Sequence, residues 1–328
     1  MSDTTIHYTG LETTHPFIKA MLTYNNYDAS DDPIAISATS LMKPTNMCAL
    51  ERTHCKADKV INLEMLIPSV MGNAMHTLLE TALDETSDDL WKQLGVPKPE
   101  KLDVRQEVRE EKLINGWKVT GKYDVLYMYD GSEWHLADLK TMSVWAMIID
   151  PAKKKEEFIK QLSIYRWLNS DKDIADRAEI LYWYTDWSAS DARRKPDYPQ
   201  SRIGSMEIML WSITETERYI VSKLSDLDRA MSSLSTSSTT GFACSDEELW
   251  KTEPAFKYYK PNKSGTFNMA RATKNFKTHN EAHAQYMSDG SIGKIVEVPG
   301  EAKRCKFCSV LNFCEQGMSY KALGLVKD

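Results

Sequence analysis

The stretch Gly121–Lys140, GKYDVLYMYDGSEWHLADLK, constrains the fold of this chain more than any other. Trp117–Tyr129 has strand composition, and Trp134–Thr141 follows it after Asp130-Gly131, a strong hairpin-turn dipeptide. Side chains alternate along a strand, so Asp138 and Lys140 point to one face. Asp124 sits on the partner strand, where antiparallel pairing brings it opposite them. Two carboxylates and a lysine on one face suit metal-dependent phosphodiester cleavage. The acids hold Mg²⁺ or Mn²⁺, hard ions that prefer oxygen. The metal polarises a phosphate and lowers the pKa of a bound water. The lysine orients that water or stabilises charge in the transition state. The competing reading is a solvated hairpin with ordinary surface charges, since a lone D-x-K triplet is common by chance.

With 328 residues the chain suffices for one large domain or two, with a substantial core. Its net charge of −6 gives no global attraction to nucleic acid, so any such contact needs a local basic patch. No apolar run is long enough to span a bilayer, and MSDTTIHYTG lacks a signal-peptide pattern, so no membrane association and a cytoplasmic location are expected. In that compartment the six cysteines are metal ligands or thiols rather than disulfides.

Residues 1–36 show no clear period and read as a variable lead-in. Ser37-Ala-Thr-Ser40 then offers a helix N-cap, although Pro44 predicts a break or a late start. Met71–Glu85 is an amphipathic helix whose apolar face is Met75, Leu78, Leu79, Ala82 and Leu83, with Gly72 near its start. On it, His76 and Glu80 stand four apart; His76 is a metal-ligand candidate supported by Glu80, or a hydrogen-bonded packing residue. Ser87–Leu102 is a polar loop with Pro97 and Pro99, and Asp103–Arg109 alternates as a strand with Glu107 as an inward carboxylate. After the hairpin, Lys153-Lys154-Lys155 opens a helix on which Gln161 and Tyr165 share a face. Glu179–Asp186 reads as a buried strand and Met206–Trp211 as another, with a loop at Ser188–Gly204. Ser212-Ile-Thr-Glu215 fits a capping box for a helix to about Met231, followed by a Ser/Thr-rich linker, Ser232–Thr240. Strands, helix, then strand make an α/β layered domain.

Trp250–Lys277 is basic and aromatic. Lys257, Lys260, Lys263, Arg271 and Lys274 are candidate phosphate contacts, interleaved with Trp250, Phe256, Tyr258, Tyr259, Phe267 and Phe276 as candidate base-stacking groups. The alternative is a solvated face with its aromatics packed inward. Near the end, RCKFCSVLNFC sets Cys305, Cys308 and Cys314 in a C-x2-C-x5-C pattern. Zn²⁺ or an iron–sulfur cluster there needs a fourth ligand from elsewhere in the chain.

Taken together, His76, Asp124, Asp138-x-Lys140 and Gln161-x3-Tyr165 resemble, in that order, the RecB-type branch of the PD-(D/E)XK nuclease superfamily. The cysteines are similar to those of a subgroup in which one Cys before the His helix joins a C-terminal C-x2-C-x5-C to bind a [4Fe–4S] cluster. CRISPR-associated adaptation nucleases and the AddB subunit of bacterial end-resection complexes are of this kind. SATSLMK, GNAMHTLLE and VPGEAKRCKFCSVLNFC also look like phage-encoded members, and the likeness covers roughly Ser37 to Gln316. The resemblance implies a restriction-endonuclease-like core: a mixed central sheet flanked by helices. It implies that His76, Asp124, Asp138 and the Leu139 carbonyl bind the metal. Lys140 acts on the attacking water, and Gln161 and Tyr165 position DNA or the lysine. Cys48, rather than Cys55, joins Cys305, Cys308 and Cys314 around the cluster, with structural Zn²⁺ as the alternative, and Cys244 is left as a buried thiol.

The division expected is a lead-in over 1–36, a nuclease core over 37–232, and a basic and iron–sulfur region over 233–328. The function implied is an Mg²⁺/Mn²⁺-dependent DNA exonuclease acting on linear ends or single strands in recombination, repair or degradation, in a host cytoplasm if phage-encoded. A nuclease subunit of an adaptation or helicase–nuclease assembly is the second reading, and a non-catalytic iron–sulfur DNA-binding subunit the third. Any helicase motor must be a partner, because the chain has no G-x4-GK[ST] loop. A homo-oligomer or a recombination partner protein is compatible with all of these.

Overall fold

A computed structural model of the chain describes residues 6–10, 15–24, 32–55, 59–85, 92–93, 95, 100–237 and 239–327. Contacts group the chain into two units, one of Met1–Lys43 with Lys56–Ser225, the other of Pro44–Cys55 with Asp226–Asp328. No helix among the described residues is long and apolar enough to cross a membrane.

Eight strands belong to the first unit: β1 (Ile6–Thr9), β2 (Ala35–Ser37), β3 (Lys59–Asn62), β4 (Leu102–Ile114), β5 (Trp117–Tyr129), β6 (Trp134–Met142), β7 (Ile174–Tyr184) and β8 (Ile203–Met209). All but β1 and β3, which pair with each other in parallel, form one mixed sheet. Along one edge of β5, β4 pairs antiparallel over nearly its whole length. The other edge is shared. β2 runs parallel to it from Lys118 to Thr120, and β6 antiparallel from Val125 to Tyr127. Residues 121–124 of β5 therefore lie at a fork between two partners. β7 is parallel to β6, reached through the helices Val144–Ile149 and Pro151–Leu168, and β8 closes the row antiparallel to β7.

The expected hairpin forms as its turn chemistry demands. Asp130 and Gly131 both have positive φ, 50° and 76°, as a type I′ turn requires, and the Ser132 N–H donates to Tyr129 O at 2.8 Å. Helix Pro151–Leu168 starts where Asp150 caps Lys153 N at 3.0 Å and proline occupies the first turn. It packs on β5 at Gly121, where a Cβ would lie 2.6 Å from Leu168 and 2.9 Å from the Tyr165 ring. No residue larger than glycine fits that approach. Leu126, Leu136, Ile164, Trp167, Ile180, Ile208, Ile220 and Leu224 form the buried core.

Several boundaries differ from the expected ones. The His76 helix begins at Ile67, after a 3-10 turn over Leu63–Leu66, because Pro68 is tolerated in a first helical turn. Gly72 is thus interior, and Leu78 of the expected apolar face is exposed. The Ser188–Gly204 loop contains a short helix, Ala189–Arg194, capped by Ser188. The helix expected to end near Met231 runs over Ile213–Thr236, and the Ser212–Glu215 capping box at its start is present. Within the lead-in, β1, the helix Pro16–Thr23 and β2 are ordered elements, and β2 joins the main sheet. Residues 1–5, 11–14 and 25–31 of the lead-in, most of the Pro97/Pro99 loop and the Leu83 side chain lie outside the described residues.

In the second unit, β9 (Ala255–Tyr259) is the middle of an antiparallel sheet with β10 (Lys274–Phe276) and β11 (Lys294–Val298). The helix His279–Ser288 carries a full capping box, Thr278 with Glu281. A separate small core of Leu249, Ala302 and Cys305 has Cys244, Leu311, Tyr320 and Val326 packed against it.

Candidate active site

Strand register builds the site. Across β4 and β5 the pairs Gln106–Val125 and Val108–Tyr123 bracket Glu107 and Asp124. Across β5 and β6 the ladder ends at Val125–Ala137, one step short of Asp124 and Asp138. Continuing these registers sets Glu107, Asp124 and Asp138 in one row over three strands. The next row holds Arg109, Lys122 and Lys140. A row of acids beside a row of bases thus arises from period-2 alternation alone.

Where the ladder stops, side chains take over from backbone. The Leu139 N–H donates to Asp124 Oδ2 at 2.7 Å. Glu107 has φ of 51°, a left-handed conformation rare outside glycine, in the middle of a strand. Above the row lies the helix Ile67–Glu85. Its Gly72 comes close to β6, where a Cβ would meet Thr141 Oγ1 at 3.4 Å. His76, one turn later on the same helix face, reaches the carboxylates. Its Nδ1 lies 3.3 Å from both Glu107 Oε1 and Asp124 Oδ1. The expected helper, Glu80, is exposed; its place is taken by Glu107. Lys122 closes the group by an ion pair with Glu107.

These contacts shift protonation in opposite directions. Hydrogen bonds to Asp124 and then Glu107 outweigh burial and raise the His76 pKa from 6.5 to about 10. The His76 hydrogen bond, aided by Lys122, lowers that of Glu107 against its burial. Asp138 is 1% exposed, because β6 is covered by strands on both sides. Burial pushes it up from 3.8 to about 6, partly offset by Lys140 and reinforced by Asp124. Lys140 Nζ lies 2.5 Å from Asp138 Oδ2, yet neither Asp138 oxygen accepts a well-formed hydrogen bond. Burial lowers the Lys140 pKa, but the Asp138 and Asp124 charges more than compensate, so it is raised overall. Lys140 is accordingly a cation and a hydrogen-bond donor at neutral pH.

His76, Glu107 and Asp124 place donor atoms within 4.8 Å of one another, the spacing of a metal-ligand set. Asp138, expected in the same set, lies outside that group of three, its carboxylate turned to Lys140. The donors are mixed nitrogen and carboxylate oxygen, a set that fits a divalent metal ion. Buried Asp138 oxygens without hydrogen-bond partners also fit a cation better than a structural role. Glu107 was legible as an inward carboxylate, but its membership required the β4–β5 register.

Because His76 is protonated well above its ordinary value, ligation by its imidazole must expel a proton. Mn²⁺ binding at about pH 8, followed by calorimetry in buffers of different ionisation enthalpy, is therefore expected to release close to one proton. Apparent affinity should climb as pH rises toward 10, and the release should vanish in His76→Ala. Proton release unchanged in that variant would remove His76 from the ligand set. The same shift stabilises the fold fully below pH 6.5, and that contribution fades as pH passes through about 10.

The remaining expected residues fall elsewhere. Gln161 Nε2 donates to Tyr165 Oη at 2.8 Å. The Tyr165 ring lies against Gly121, three residues from Asp124 and hence on the opposite sheet face. In the basic segment, Tyr258 and Tyr259 are buried, because β9 is the central strand, and do not present stacking faces. Lys260 pairs with Asp289 at 2.8 Å. Lys274 lies opposite Tyr258 and over the Phe276 ring, whereas Lys257 alternates to the other face. Lys263 and Arg271 are exposed in the intervening loop. These cations therefore do not share one strand face.

The cysteines do converge, though not as expected. Cys244, Cys305, Cys308 and Cys314 line one cavity together with Asn46, Met47, Leu50 and Gly317. Cys48 is buried but does not line it, and Cys55 is exposed. Burial and the neighbouring sulfurs raise the pKa of Cys305 to about 11, and burial with Glu248 that of Cys244 to about 12.

No protein-family model and no curated protein matches the chain. Among solved structures it is similar to SSO0001, with 16% identity over 63% of this chain and 83% of that one and a TM-score of 0.38. An alkaline exonuclease, LHK-Exo, from Laribacter hongkongensis is similar at 12% identity over 62% and 92%, TM-score 0.38. A phage related exonuclease from Haemophilus somnus 129PT is similar at 15% identity over 48% and 70%, TM-score 0.28.

Proposed function

We propose that this chain is a divalent-metal-dependent deoxyribonuclease of PD-(D/E)XK type that hydrolyses phosphodiester bonds at the ends of linear DNA. The observation that supports it best is Asp138. A carboxylate 1% exposed, with no well-formed hydrogen bond, costs folding free energy that a purely structural residue would not impose. It stands beside Lys140 and next to a half-buried His–Glu–Asp set.

Asp124, Asp138, His76 and Glu107 would hold Mg²⁺ or Mn²⁺, with the Leu139 carbonyl as a further donor. The ion, when bound, supplies a Lewis acid for the phosphate and a more acidic water. Everything else falls to the chain. Lys140, positively charged and buried on its Asp138 side, donates to the attacking water or to a phosphate oxygen as charge builds there. Being protonated, it is not the general base. The Leu139 N–H fixes the Asp124 carboxylate, and Lys122 fixes Glu107, so ligand orientation precedes substrate binding. The exonuclease reading, and that of a cysteine-bound iron–sulfur group, rest on the motif resemblance. DNA is the substrate, with the exposed Lys263 and Arg271 available to the phosphate backbone.

The test is cleavage of end-labelled linear DNA beside a closed circle, with Mn²⁺ or Mg²⁺. Loss of the linear form alone is expected. Cutting of the circle would replace the exonuclease with an endonuclease. DNA bound but uncut with either metal would sink the enzymatic reading.

A further inference from the structure

We infer that Cys244, Cys305, Cys308 and Cys314 are the thiolates that hold the iron–sulfur group, and that Cys48 is not among them. The inference rests on the iron–sulfur part of the proposed function and changes its ligand set.

The first support is position. Four sulfurs line one cavity, and on the helix Thr45–Thr53 it is Asn46, Met47 and Leu50 that face it. At about 100° per residue, Cys48 turns away from the face that those three define. Cys244, by contrast, is tied in place. Its N–H donates to Gln316 Oε1 at 2.8 Å and its carbonyl accepts from Gln316 Nε2 at 2.9 Å. That two-point clamp holds Cys244 against the loop carrying Cys314.

The second support is how the sulfurs are treated. Gly317 N–H donates to Cys314 Sγ at 3.3 Å, and Asn46 Nδ2 donates to the same sulfur at 3.4 Å. A neutral thiol is a weak acceptor, so donors aimed at sulfur mark positions built for thiolates. Gly317 has no side chain where a Cβ would lie 3.5 Å from Cys314 Sγ and 2.7 Å from Leu311.

The third support is spacing. Among the described residues, His76, Glu107 and Asp124 are the one set of three ligand-type groups whose donors all lie within 4.8 Å of one another. The cysteine sulfurs are therefore spread wider than the roughly 3.8 Å edges that Zn–S bonds of about 2.3 Å impose on a tetrahedron. Sulfurs set further apart than that suit a polynuclear group better than a single ion.

The experiment uses the full chain purified without oxygen, with iron and sulfide assayed and the visible absorption recorded. Cys244→Ser is expected to lose most of the iron and the absorption, while Cys48→Ser keeps both at the wild-type level. Iron lost from Cys48→Ser and kept in Cys244→Ser overturns the assignment. Wild-type protein without iron overturns the iron–sulfur reading itself, which separates the two failures. Should Cys244→Ser be insoluble, alkylation of the wild type before and after oxidative loss of iron decides. A gain of labelling at Cys244, Cys308 and Cys314 supports the assignment, and a gain at Cys48 instead of Cys244 overturns it.

Discussion

Lys140→Ala is expected to lower DNA cleavage by on the order of 10²–10³-fold or more while leaving DNA binding near the wild-type level. The magnitude follows from what the residue does. Its ammonium lies 2.5 Å from Asp138 and its side chain is 24% exposed, so one side is neutralised and the rest stays partly accessible. A charged donor in such a partly desolvated place is worth far more to a developing phosphate charge than in water. Removing it costs nothing in the ground state if the phosphodiester is held mainly by other cations. The signature is a drop in the single-turnover rate with an unchanged gel-shift midpoint. Full activity in the variant would exclude Lys140 from the chemistry, and lost binding would make it a DNA contact instead.

The second large effect concerns Asp138. Asp138→Asn should reduce cleavage to background yet raise the melting temperature of the protein in chelator by several degrees. Burial lifts the Asp138 pKa from 3.8 to about 6, which means that the fold binds this proton more tightly than the unfolded chain does. Unfolding then releases a proton between about pH 4 and pH 6, and stability falls as pH rises through that window. At neutral pH the carboxylate withholds on the order of 2–3 kcal/mol, a net figure that already contains the attraction of Lys140. Asparagine, of the same shape and uncharged, removes that cost. Melting curves of both proteins across pH provide the check. Their difference should shrink toward pH 4, where the wild-type residue is itself neutral. A variant less stable than wild type at pH 7 would mean that the Asp138–Lys140 pair is a structural salt bridge.

Much of this site could be read from local pattern. The Asp130-Gly131 turn, the shared face of Asp138 and Lys140, and the Ser212–Glu215 cap each depend on neighbours within a few residues, and each is present. Other features depend on pairings that no local window contains. Glu107 joins His76 only because the β4–β5 register sets it against Asp124 and its backbone adopts a left-handed turn. Cys244 reaches Cys314 through Gln316, 72 residues away along the chain. Alternating cations and aromatics in Trp250–Lys277 suggested a binding face. Composition does not reveal that β9 would be a central strand, which is what buries Tyr258 and Tyr259. The Gln161–Tyr165 spacing predicted a shared helix face correctly, but not which side of the sheet that helix would cover.

The fork along β5 has a wider meaning. β2 leaves the strand at Thr120 and β6 joins it at Val125, so an interior strand has a four-residue stretch with no rung on that edge. Most enzymes open a cleft by arranging loops above a finished sheet. Here the candidate site stands beside a gap in the weave, and the width of that gap is counted in residues. Each rung added at either end would narrow it. The candidate side chains inherit the stiffness of core strands, whatever the surrounding loops do.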